Sequence, residues 1–407
     1  MYLEDKKSLE SCIENAKIWL LNSGIQNLDS RLLEVKGGFN SWYDIDKEDY
    51  FYAYSEVAGY GISTLLFLNS LDNNNLYNNL YFLRSTLAAE WLLDKASHKS
   101  GGLKTRYYFN RENALEQYDF SSGVIHSFDN GIALSGLMDL YKKTNESRYL
   151  KTGKKIGDFL VDVMQKDDGG FYASYSHKDE EFKDSKEKWS TQSGSFHTKI
   201  SLGLLKLFDI TKDEKYKEAV IKLCNSSLNF QEKNGRFVSY KEEKDTHLHP
   251  HCYSAEGLLF SGLHLNNNSY LKSAVEATGW ALESQMENGG IPSMYVNNEF
   301  IKHERSDILA QILRLGIIML GLGLISSEYG KKLDKLKDRL ISFQYKSDDI
   351  KSNGGFLFGE DVDYKNNLVA SKKTHLNSWC TMFSLQALIF YKNYLKGNFS
   401  FDKDTLI

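Results

Sequence analysis

Histidines and carboxylates collect at one kind of position in this chain, the start of a helix that is apolar nearly all round. Six histidines lie within a turn of such a start: His126, His197, His249, His251, His303 and His375. Other polar and aromatic residues lie close by: Glu56, Asp129, Glu256, Arg305, Asp307 and Trp379. Paired carboxyls can supply an acid and a base, and a neutral imidazole accepts a proton near neutral pH. The pattern therefore predicts acid–base chemistry at these helix starts.

Helical spacing places several of these residues on shared faces, because residues four apart lie side by side. His303, Asp307 and Gln311 form a polar stripe on a helix that is otherwise apolar. The same spacing joins Glu56 with Tyr60, His126 with Asn130 and His375 with Trp379. A polar stripe on a buried helix must face other polar groups or a water-filled cavity. We therefore expect these residues to line a central cavity.

The segment THLHPHCYSAEGLLF carries the most specific local signal. Pro250 suits the first helical position, so His251 falls in the first turn, where the helix dipole disfavours an imidazolium ion. A neutral His251 could then act as a general base. Glu256 lies one turn deeper among apolar neighbours, which predicts a raised pKa and a role as an acid. The alternative for Glu256 is a buried carboxylate held by an arginine or histidine across the fold.

The sequence lacks the residue spacings that are typical of metal-binding and nucleotide-binding motifs. His247, His249, His251 and Cys252 cluster, but no CxxC or HExxH pair is present. The phosphate-loop, dinucleotide and GxSxG hydrolase signatures are absent as well. We therefore predict neither a metal site nor a cofactor.

Six glycine-containing loops set the positions of the helices. Their first glycines lie 54 to 68 residues apart, which indicates one structural unit repeated six times. The loops are Gly37-Gly38-Phe39, Gly101-Gly102-Leu103, Gly169-Gly170-Phe171, Gly235-Arg236-Phe237, Gly289-Gly290-Ile291 and Gly354-Gly355-Phe356. Each loop follows an amphipathic helix and precedes an apolar one, so we predict six outer and six inner helices.

The predicted pairs form six hairpins whose long loops gather on one rim, at the N-termini of the inner helices. Outer helices are expected near 8–23, 76–95, 147–165, 214–231, 267–286 and 329–345, and inner helices near 53–70, 125–143, 190–210, 249–265, 303–325 and 373–396. Alternating residues at 171–175, 236–240 and 291–295 predict short β-hairpins on the rim. The charged segment 176–190 is interpreted as a solvated loop, with a mobile lid as the alternative.

Composition and charge narrow the class of protein. The chain has 407 residues, 41% of them hydrophobic, and a net charge of −4, which gives no electrostatic case for nucleic acid. Its four cysteines, Cys12, Cys224, Cys252 and Cys380, are widely spaced, as in proteins with reduced thiols. We identify no membrane span or secretory signal, because the apolar runs are too short. The sequence thus predicts one cytoplasmic domain over residues 1–407, and it leaves the oligomeric state open.

The repeat SFDNGIALSGLMDLYKKTNESRYLKTGKKIGDFLVDVMQKDDGGF and the segment PHCYSAEGLLF resemble the (α/α)6 toroids of the six-hairpin glycosidase-like superfamily. That superfamily includes unsaturated uronyl hydrolases, N-acylglucosamine 2-epimerases, the helical domains of polysaccharide lyases and the toroid domain of glucuronyl C5-epimerases. The resemblance implies an all-α (α/α)6 toroid whose central cleft binds a sugar or oligosaccharide. Asp129 is the position most similar to an acidic catalytic residue of the uronyl hydrolases.

The resemblance implies a glycoside hydrolase acting on a saccharide, uronic-acid-containing saccharides included. The expected acid–base residues are Asp129, Glu256, Asp307 and His251. The expected substrate-binding residues are Glu56, His126, His197, Tyr253, Arg305, Gln311, His375 and Trp379. Among these, Arg305 would clamp a carboxylate, and aromatic faces at Trp42, Tyr54, Tyr253 and Trp379 would stack on pyranose rings.

Three other functions remain open. A sugar epimerase or polysaccharide lyase would use histidine bases, with His251, His197 and His375 as candidates. A zinc-dependent toroid is suggested by SFHTKISLGL, which resembles the histidine-bearing inner helix of the prenyltransferase β subunit, and by Trp379-Cys380, which is similar to a lanthionine-cyclase motif. A non-catalytic toroid would only bind a glycan or a partner protein.

Overall fold

Twelve α-helices make up about half of the part of the chain described by the computed structural model, which is residues 2–71, 75–185, 188–240, 242–363 and 368–407. In chain order they are α1 (Tyr2–Asn22), α2 (Ser55–Leu71), α3 (Asn75–Trp91), α4 (Ser127–Thr144), α5 (Ser147–Asp158), α6 (Ser201–Thr211), α7 (Glu214–Leu228), α8 (Leu248–Leu265), α9 (Asn268–Glu283), α10 (Ser306–Gly321), α11 (Gly330–Ile341) and α12 (Ser378–Leu395). A π-helical turn extends α3 over Leu92–Ala96 and α5 over Phe159–Met164, and a 3₁₀ segment, Ser195–Ile200, leads into α6.

The even-numbered helices form a closed inner ring. Each of α2, α4, α6, α8, α10 and α12 contacts the next, and α12 returns to α2. Inner helices are buried on every side, as in α10, where every residue from Ser306 to Leu320 is buried. Outer helices have one solvent-exposed face, as in α11, where the buried residues are Leu333, Leu336, Lys337 and Leu340. The predicted all-α (α/α)6 toroid is therefore confirmed, and the single domain over 1–407 stays a prediction.

The helix pairing differs from the predicted hairpins. Each outer helix packs most closely on the inner helix that precedes it, as α3 does on α2 and α9 on α8. The connecting turns are short and begin with left-handed residues such as Asn145, Lys212 and Asn266, which reverse the chain at once. The outer helix α1 packs on α12, the last inner helix, and completes the outer layer.

The six glycine loops tie each unit to the next outer helix. The first glycine of every loop has a positive φ, and at Gly235 an added Cβ would lie 2.4 Å from the carbonyl oxygen of Glu276 in α9. Gln231 Nε2 donates to the carbonyls of both Gly235 and Ser273, each at 2.9 Å. The same pair of side-chain hydrogen bonds recurs in four other loops, through Gln26, Gln165, Gln285 and Gln344.

We expect Gly235→Ala to lower the free energy of unfolding by about 2 kcal/mol or more, because it adds left-handed strain and a clash with backbone. Gly330→Ala is the matched control, since Gly330 has a helical φ of −49° and nothing within 4 Å of an added Cβ. Urea unfolding of the two variants checks this. Equal stabilities would contradict the role assigned to the loop.

Twelve strands of the described residues lie on the rim of the ring and form four small sheets. They are β1 (Trp42–Asp44), β2 (Asp49–Tyr50), β3 (Tyr52–Tyr54), β4 (Arg106–Tyr108), β5 (Val124–His126), β6 (Ser174–Ser176), β7 (Glu181–Lys183), β8 (Thr246–His247), β9 (Met294–Val296), β10 (Glu299–Ile301), β11 (Leu357–Asp363) and β12 (Leu368–Asn377). The sheet orders are β11-β12-β1-β2, β10-β9-β8, β3-β4 and β5-β6-β7.

Two of the three predicted rim hairpins are present, at β6 and β9, and one prediction is wrong. Residues 236–240, all of which the structure describes, make only isolated bridges. There Arg236 Nη1 donates to Lys244 O at 2.5 Å and Thr246 Oγ1 donates to Phe237 O at 2.7 Å, so side-chain bonds replace a ladder. The last inner helix begins at Ser378, because residues predicted as its first turn belong to β12.

The predicted loop 176–190 contains the exposed strand β7, paired with β6. Residues 186–187 of that segment lie outside the described part of the chain. Across the described residues, no helix combines the length and apolar character that crossing a bilayer requires.

Candidate active site

The first turns of the inner helices meet at one end of the ring, in the region that we call the central cleft. Glu56, Asp129, His249, Asp307 and Trp379 are each the second or third residue of their helix. Contacts run between them across the ring: Trp379 Nε1 donates to Asp307 Oδ2 at 3.1 Å, and His249 Nδ1 lies 3.4 Å from the same oxygen. The structure therefore brings together the helix starts that the sequence singles out.

Asp129 and Glu56 form the acidic part of this cleft, on the neighbouring helices α4 and α2. Asp129 is 4% exposed, and its Oδ1 accepts a hydrogen bond from the Tyr54 hydroxyl at 3.2 Å. Its Oδ2 is buried and has no hydrogen-bond partner among the described residues. Glu56 is only half-buried. The pair thus has one carboxyl at the floor of the cleft and one nearer to solvent.

The two carboxyls titrate together near neutral pH. Burial raises the pKa of Asp129 to about 7, against the charge of Arg106 and the hydrogen bond from Tyr54. Burial and the negative charge of Asp129 raise the pKa of Glu56 to about 8. Groups that interact in this way lose their protons as a pair. At pH 7 the pair therefore keeps at least one proton for much of the time.

Arg106 stands beside this pair and was missed in the sequence. Strand β4 carries it into the cleft, where its guanidinium carbon lies 3.9 Å from the ring centroid of Tyr118 and 4.7 and 4.8 Å from those of Tyr52 and Tyr54. Its only sequence signal was the alternation in TRYYF after the second glycine loop. Its charge opposes the rise in the pKa of both acids.

The Asp307 carboxylate is held in its ionised form by its neighbours and is not placed to exchange a proton near neutral pH. Arg305 binds it with two bonds, Nε to Oδ1 at 3.1 Å and Nη2 to Oδ2 at 2.6 Å. Burial favours the neutral acid, but Arg305, His249 and Trp379 outweigh burial and lower the pKa of Asp307 to about 2. Because its guanidinium is engaged by Asp307, Arg305 is not placed as the carboxylate clamp that we predicted.

His249 is oriented from below by Gln311, whose Oε1 lies 2.7 Å from His249 Nδ1. An amide oxygen only accepts, so this bond assigns the proton to Nδ1. Nε2 has no hydrogen-bond partner in the part of the chain that the structure describes. Burial lowers the pKa of His249 to about 4, so the ring is neutral at pH 7. From the sequence, His249 was assigned no role beyond its place in the cluster.

Glu256 occupies a different position from the one predicted for an acid. It is fully buried below the cleft, where Lys199 Nζ donates to its Oε2 at 2.5 Å and Arg314 Nη2 donates to its Oε1. Burial raises its pKa, but Arg314 and Lys199 outweigh that effect and hold the pKa below its usual value. The prediction of a raised pKa is therefore wrong, and the alternative of a carboxylate held across the ring is correct.

His251 cannot serve as the predicted base, because both of its ring nitrogens are used. Nδ1 accepts from the backbone N–H of Phe237 at 3.1 Å, and Nε2 donates to Ala277 O at 3.0 Å. The predicted neutral state is nevertheless present, since burial lowers the pKa of His251 to about 4. Its ring points outward and joins a glycine loop to α9.

His126 and His197 are also packed into the scaffold rather than the cleft. His126 donates from Nε2 to Gln117 O at 2.8 Å and stacks on Tyr118 at 4.8 Å. His197 is fully buried beside Phe196, with ring centroids 4.1 Å apart. Burial lowers the pKa of His126 to about 4 and of His197 to about 3. Neither is placed to bind substrate directly.

The remaining predicted binding residues lie either inside the central cleft or on the rim of the ring. Tyr253 is buried on the floor, 4.7 Å from Phe128 and 4.4 Å from His249 by ring centroids. Trp379 is half-buried at the cleft wall. His375 lies on β12, half-buried, and stacks on Trp42 at 4.8 Å. Tyr253 and Trp379 therefore face the acidic pair's cleft, and His375 belongs to the rim.

Trp189 covers one side of the cleft and was missed in the sequence. Its ring lies 5.2 Å from Phe196, 5.6 Å from His249 and 6.4 Å from Tyr253 by centroids. It is half-buried, although it belongs to the charged segment that we interpreted as solvated. A tryptophan among lysines and glutamates was the signal that could have identified it.

Two surface clefts lie away from this centre. One, of about 290 Å³, is lined by Glu304, Arg339, Glu360 and Lys373 among others. Four of its charges are already paired, Arg339 with Glu304 and Lys373 with Glu360. The other, of about 390 Å³, lies behind the loop that carries Tyr118. In the described residues, no three His, Cys, Asp or Glu side chains are close enough to hold a metal ion.

The chain resembles known proteins at two levels. Residues 116–288, less than half of the chain, match Glycosyl hydrolase family 76. No curated protein sequence matches it. Among solved structures, a sugar epimerase from a ruminal bacterium has a TM-score of 0.73 at 9% identity, covering 95% of this chain and 98% of that one.

Two further structures extend the comparison. Cellobiose 2-epimerase from Bacillus thermoamylovorans B4167 has a TM-score of 0.69 at 12% identity, over 87% of this chain and 92% of that one. Unsaturated glucuronyl hydrolase from Bacillus sp. GL1 has a TM-score of 0.65 at 13% identity, over 95% and 97%. These likenesses show that the chain folds as an (α/α)6 toroid. The matches agree with the prediction of a carbohydrate-active enzyme.

Proposed function

We propose that this toroid cleaves a glycosidic bond of a saccharide bound in the central cleft, with Glu56 and Asp129 as its acid–base pair. The observation that carries the proposal is their placement on neighbouring inner helices with pKa values raised to about 8 and about 7. Glycoside hydrolysis needs one protonated and one ionised carboxyl at the scissile bond. Two carboxyls that share a proton near pH 7 meet that need.

The two carboxyls take different roles in this proposal. Glu56 has the higher pKa and is nearer to solvent, so it keeps the proton and gives it to the leaving oxygen. Asp129 ionises at lower pH and acts on the opposite face of the sugar ring, either as a base that activates water or as the nucleophile. The Tyr54 hydroxyl orients Asp129 through Oδ1, and Oδ2 is left without a hydrogen bond among the described residues.

Aromatic side chains around the pair suit a sugar ring. Trp189 and Trp379 are both half-buried, so part of each indole remains available for stacking on a pyranose. Asp307 stays ionised and fixes Trp379 through Nε1. Under this proposal Asp307 positions the Trp379 side chain and does not transfer protons.

Epimerisation is the second candidate, and His249 is the observation that favours it. Its ring is neutral, Gln311 orients it, and Nε2 has no partner in the described part of the chain. Such a nitrogen could remove a proton from a sugar carbon. Against it stands the pKa of His249, about 4, which makes it a weak base at pH 7.

Isotope labelling of the products separates the candidates. The purified protein is incubated with oligosaccharides of mixed linkage, once in H₂¹⁸O and once in D₂O. Hydrolysis yields shorter sugars with ¹⁸O at the new reducing end and no carbon-bound deuterium. Deuterium on a sugar carbon, without shortening, would instead support the epimerase. Binding without any conversion would support the non-catalytic toroid.

A further inference from the structure

The guanidinium of Arg106 lies in the cleft without a carboxylate partner. Among the described residues, no Asp or Glu oxygen comes within the 4.0 Å of an ion pair. Its Nε is buried and makes no hydrogen bond, and Nη1 is 3.4 Å from the Tyr108 hydroxyl. A half-buried cation with unused donors needs a partner that the protein itself does not supply.

Apart from the long Nη1 bond to Tyr108, tyrosines hold this cation through their ring faces and not through its donors. The rings of Tyr52, Tyr54 and Tyr118 pack around the guanidinium carbon, at 4.7, 4.8 and 3.9 Å from it. Contacts with ring faces stabilise a cation but leave the in-plane N–H groups unbonded. Those groups form a fork that matches the two oxygens of a carboxylate.

The neighbouring acids leave most of this positive charge uncompensated. Glu56 and Asp129 sense Arg106, yet burial keeps both of their pKa values high, so near pH 7 they carry less than one negative charge between them. Arg305, by contrast, is bound bidentately by Asp307 and faces Phe358 at 4.4 Å. The free fork in this cleft is therefore that of Arg106.

We propose that Arg106 binds the carboxylate of an acidic sugar, so that the saccharide cleaved in this cleft carries a uronic acid at the site of cleavage. The inference rests on the proposed hydrolysis and names its substrate class. A single guanidinium matches one monoanionic carboxylate better than a dianionic phosphate, because no second free cation accompanies it among the described cleft residues. The bound carboxylate would also favour the protonated form of Glu56.

The test compares oligosaccharides that differ only in the carboxylate. Uronic-acid-containing oligosaccharides with glucuronate, galacturonate or mannuronate are used as they are and after chemical reduction of the carboxyl to the neutral hexose. The ratio of kcat/KM for each acidic and reduced pair is measured with the wild type, Arg106→Gln and Arg106→Lys. Arg148→Gln is the matched control, since Arg148 also lies over a tyrosine but is paired with Glu90 and Glu146 outside the cleft.

The wild type is expected to prefer an acidic member, and Arg106→Gln to lower that preference by about 10-fold to 100-fold. Arg106→Lys, which keeps the charge and loses the fork, should keep part of the preference, and Arg148→Gln all of it. Cleavage of reduced and acidic sugars at equal rates, or an unchanged ratio in Arg106→Gln, overturns this inference and leaves the hydrolase intact. Failure to bind or cleave any pair overturns both proposals.

Discussion

Asp129→Asn and Glu56→Gln are each expected to lower kcat on a cleaved saccharide by about 10³-fold or more, with the fold retained. Each variant removes a carboxyl that transfers a proton or attacks in the transition state, and such groups contribute about 10²-fold to 10⁴-fold each. The substitutions keep the shape of the side chain, so the Tyr54 hydroxyl still has an oxygen to bond at position 129. Steady-state kinetics and circular dichroism of the purified variants check the prediction.

Glu360→Gln is the control for this pair, because Glu360 is another half-buried glutamate on the rim, bonded to His303 and Lys373. It should keep kcat within about threefold, as expected for a surface change away from the reacting groups. The rate should also depend on pH. It should fall as Asp129 gains a proton below about pH 7 and as Glu56 loses its own above about pH 8. Full activity in both pair variants would show that the chemistry lies elsewhere.

Glu256→Ala is expected to lower the free energy of unfolding by about 3–5 kcal/mol, because it leaves Lys199 and Arg314 buried without their shared anion. Both cations are fully buried, so water cannot replace the carboxylate. Lys199 Nζ would keep only its bond to Ile407 O at 2.8 Å, and Arg314 its bond to Gln386 Oε1 at 3.0 Å. Urea unfolding followed by fluorescence measures the loss.

A double variant separates the charge effect from the loss of packing. Arg314→Met removes one cation, so Glu256→Ala should cost less in that background than in the wild type. The residual activity at low temperature, where the variant stays folded, should be close to that of the wild type. A Glu256→Gln protein with wild-type stability and no activity would instead restore the catalytic role predicted from the sequence.

The fold was predictable because it depends on local and periodic signals. Helices apolar all round must be inside, and glycine loops repeated six times require a repeated unit. The signal that was overlooked is the glutamine before the loops, at four residues before Gly169, Gly235 and Gly289. Its two hydrogen bonds hold neighbouring units together, which the spacing alone did not reveal.

The site was only partly predictable, because the pKa of a carboxyl depends on residues far away in sequence. Glu256 and Asp129 are both acids near the N-terminus of an inner helix, and the sequence assigned both to catalysis. They differ because Arg314, 58 residues from Glu256, reaches one and no cation reaches the other within ion-pair distance in the described residues. A lone arginine in the apolar run of α10, and a lone lysine before α6, were the available signals of a buried ion pair.

The stability of Asp129→Asn against pH tests the central claim, that the pKa of this acid is raised to near neutral pH in the cleft. The pKa of Asp129 is raised in the fold, so the wild type loses stability as pH rises from about 4 to about 7, and the neutral asparagine avoids that loss. Asp307→Asn is the matched control with the opposite sign, because its pKa is lowered to about 2 and its charge stabilises the fold above about pH 4.

Unfolding free energies are measured between pH 4 and pH 9 for both variants and the wild type. We expect Asp129→Asn to match the wild type near pH 4 and to exceed it by about 2–4 kcal/mol at pH 8. Over the same range Asp307→Asn should be less stable than the wild type, by about 2 kcal/mol or more at neutral pH. An Asp129→Asn protein that is less stable than the wild type at pH 8 would contradict the raised pKa of Asp129 and the hydrolase proposed from it.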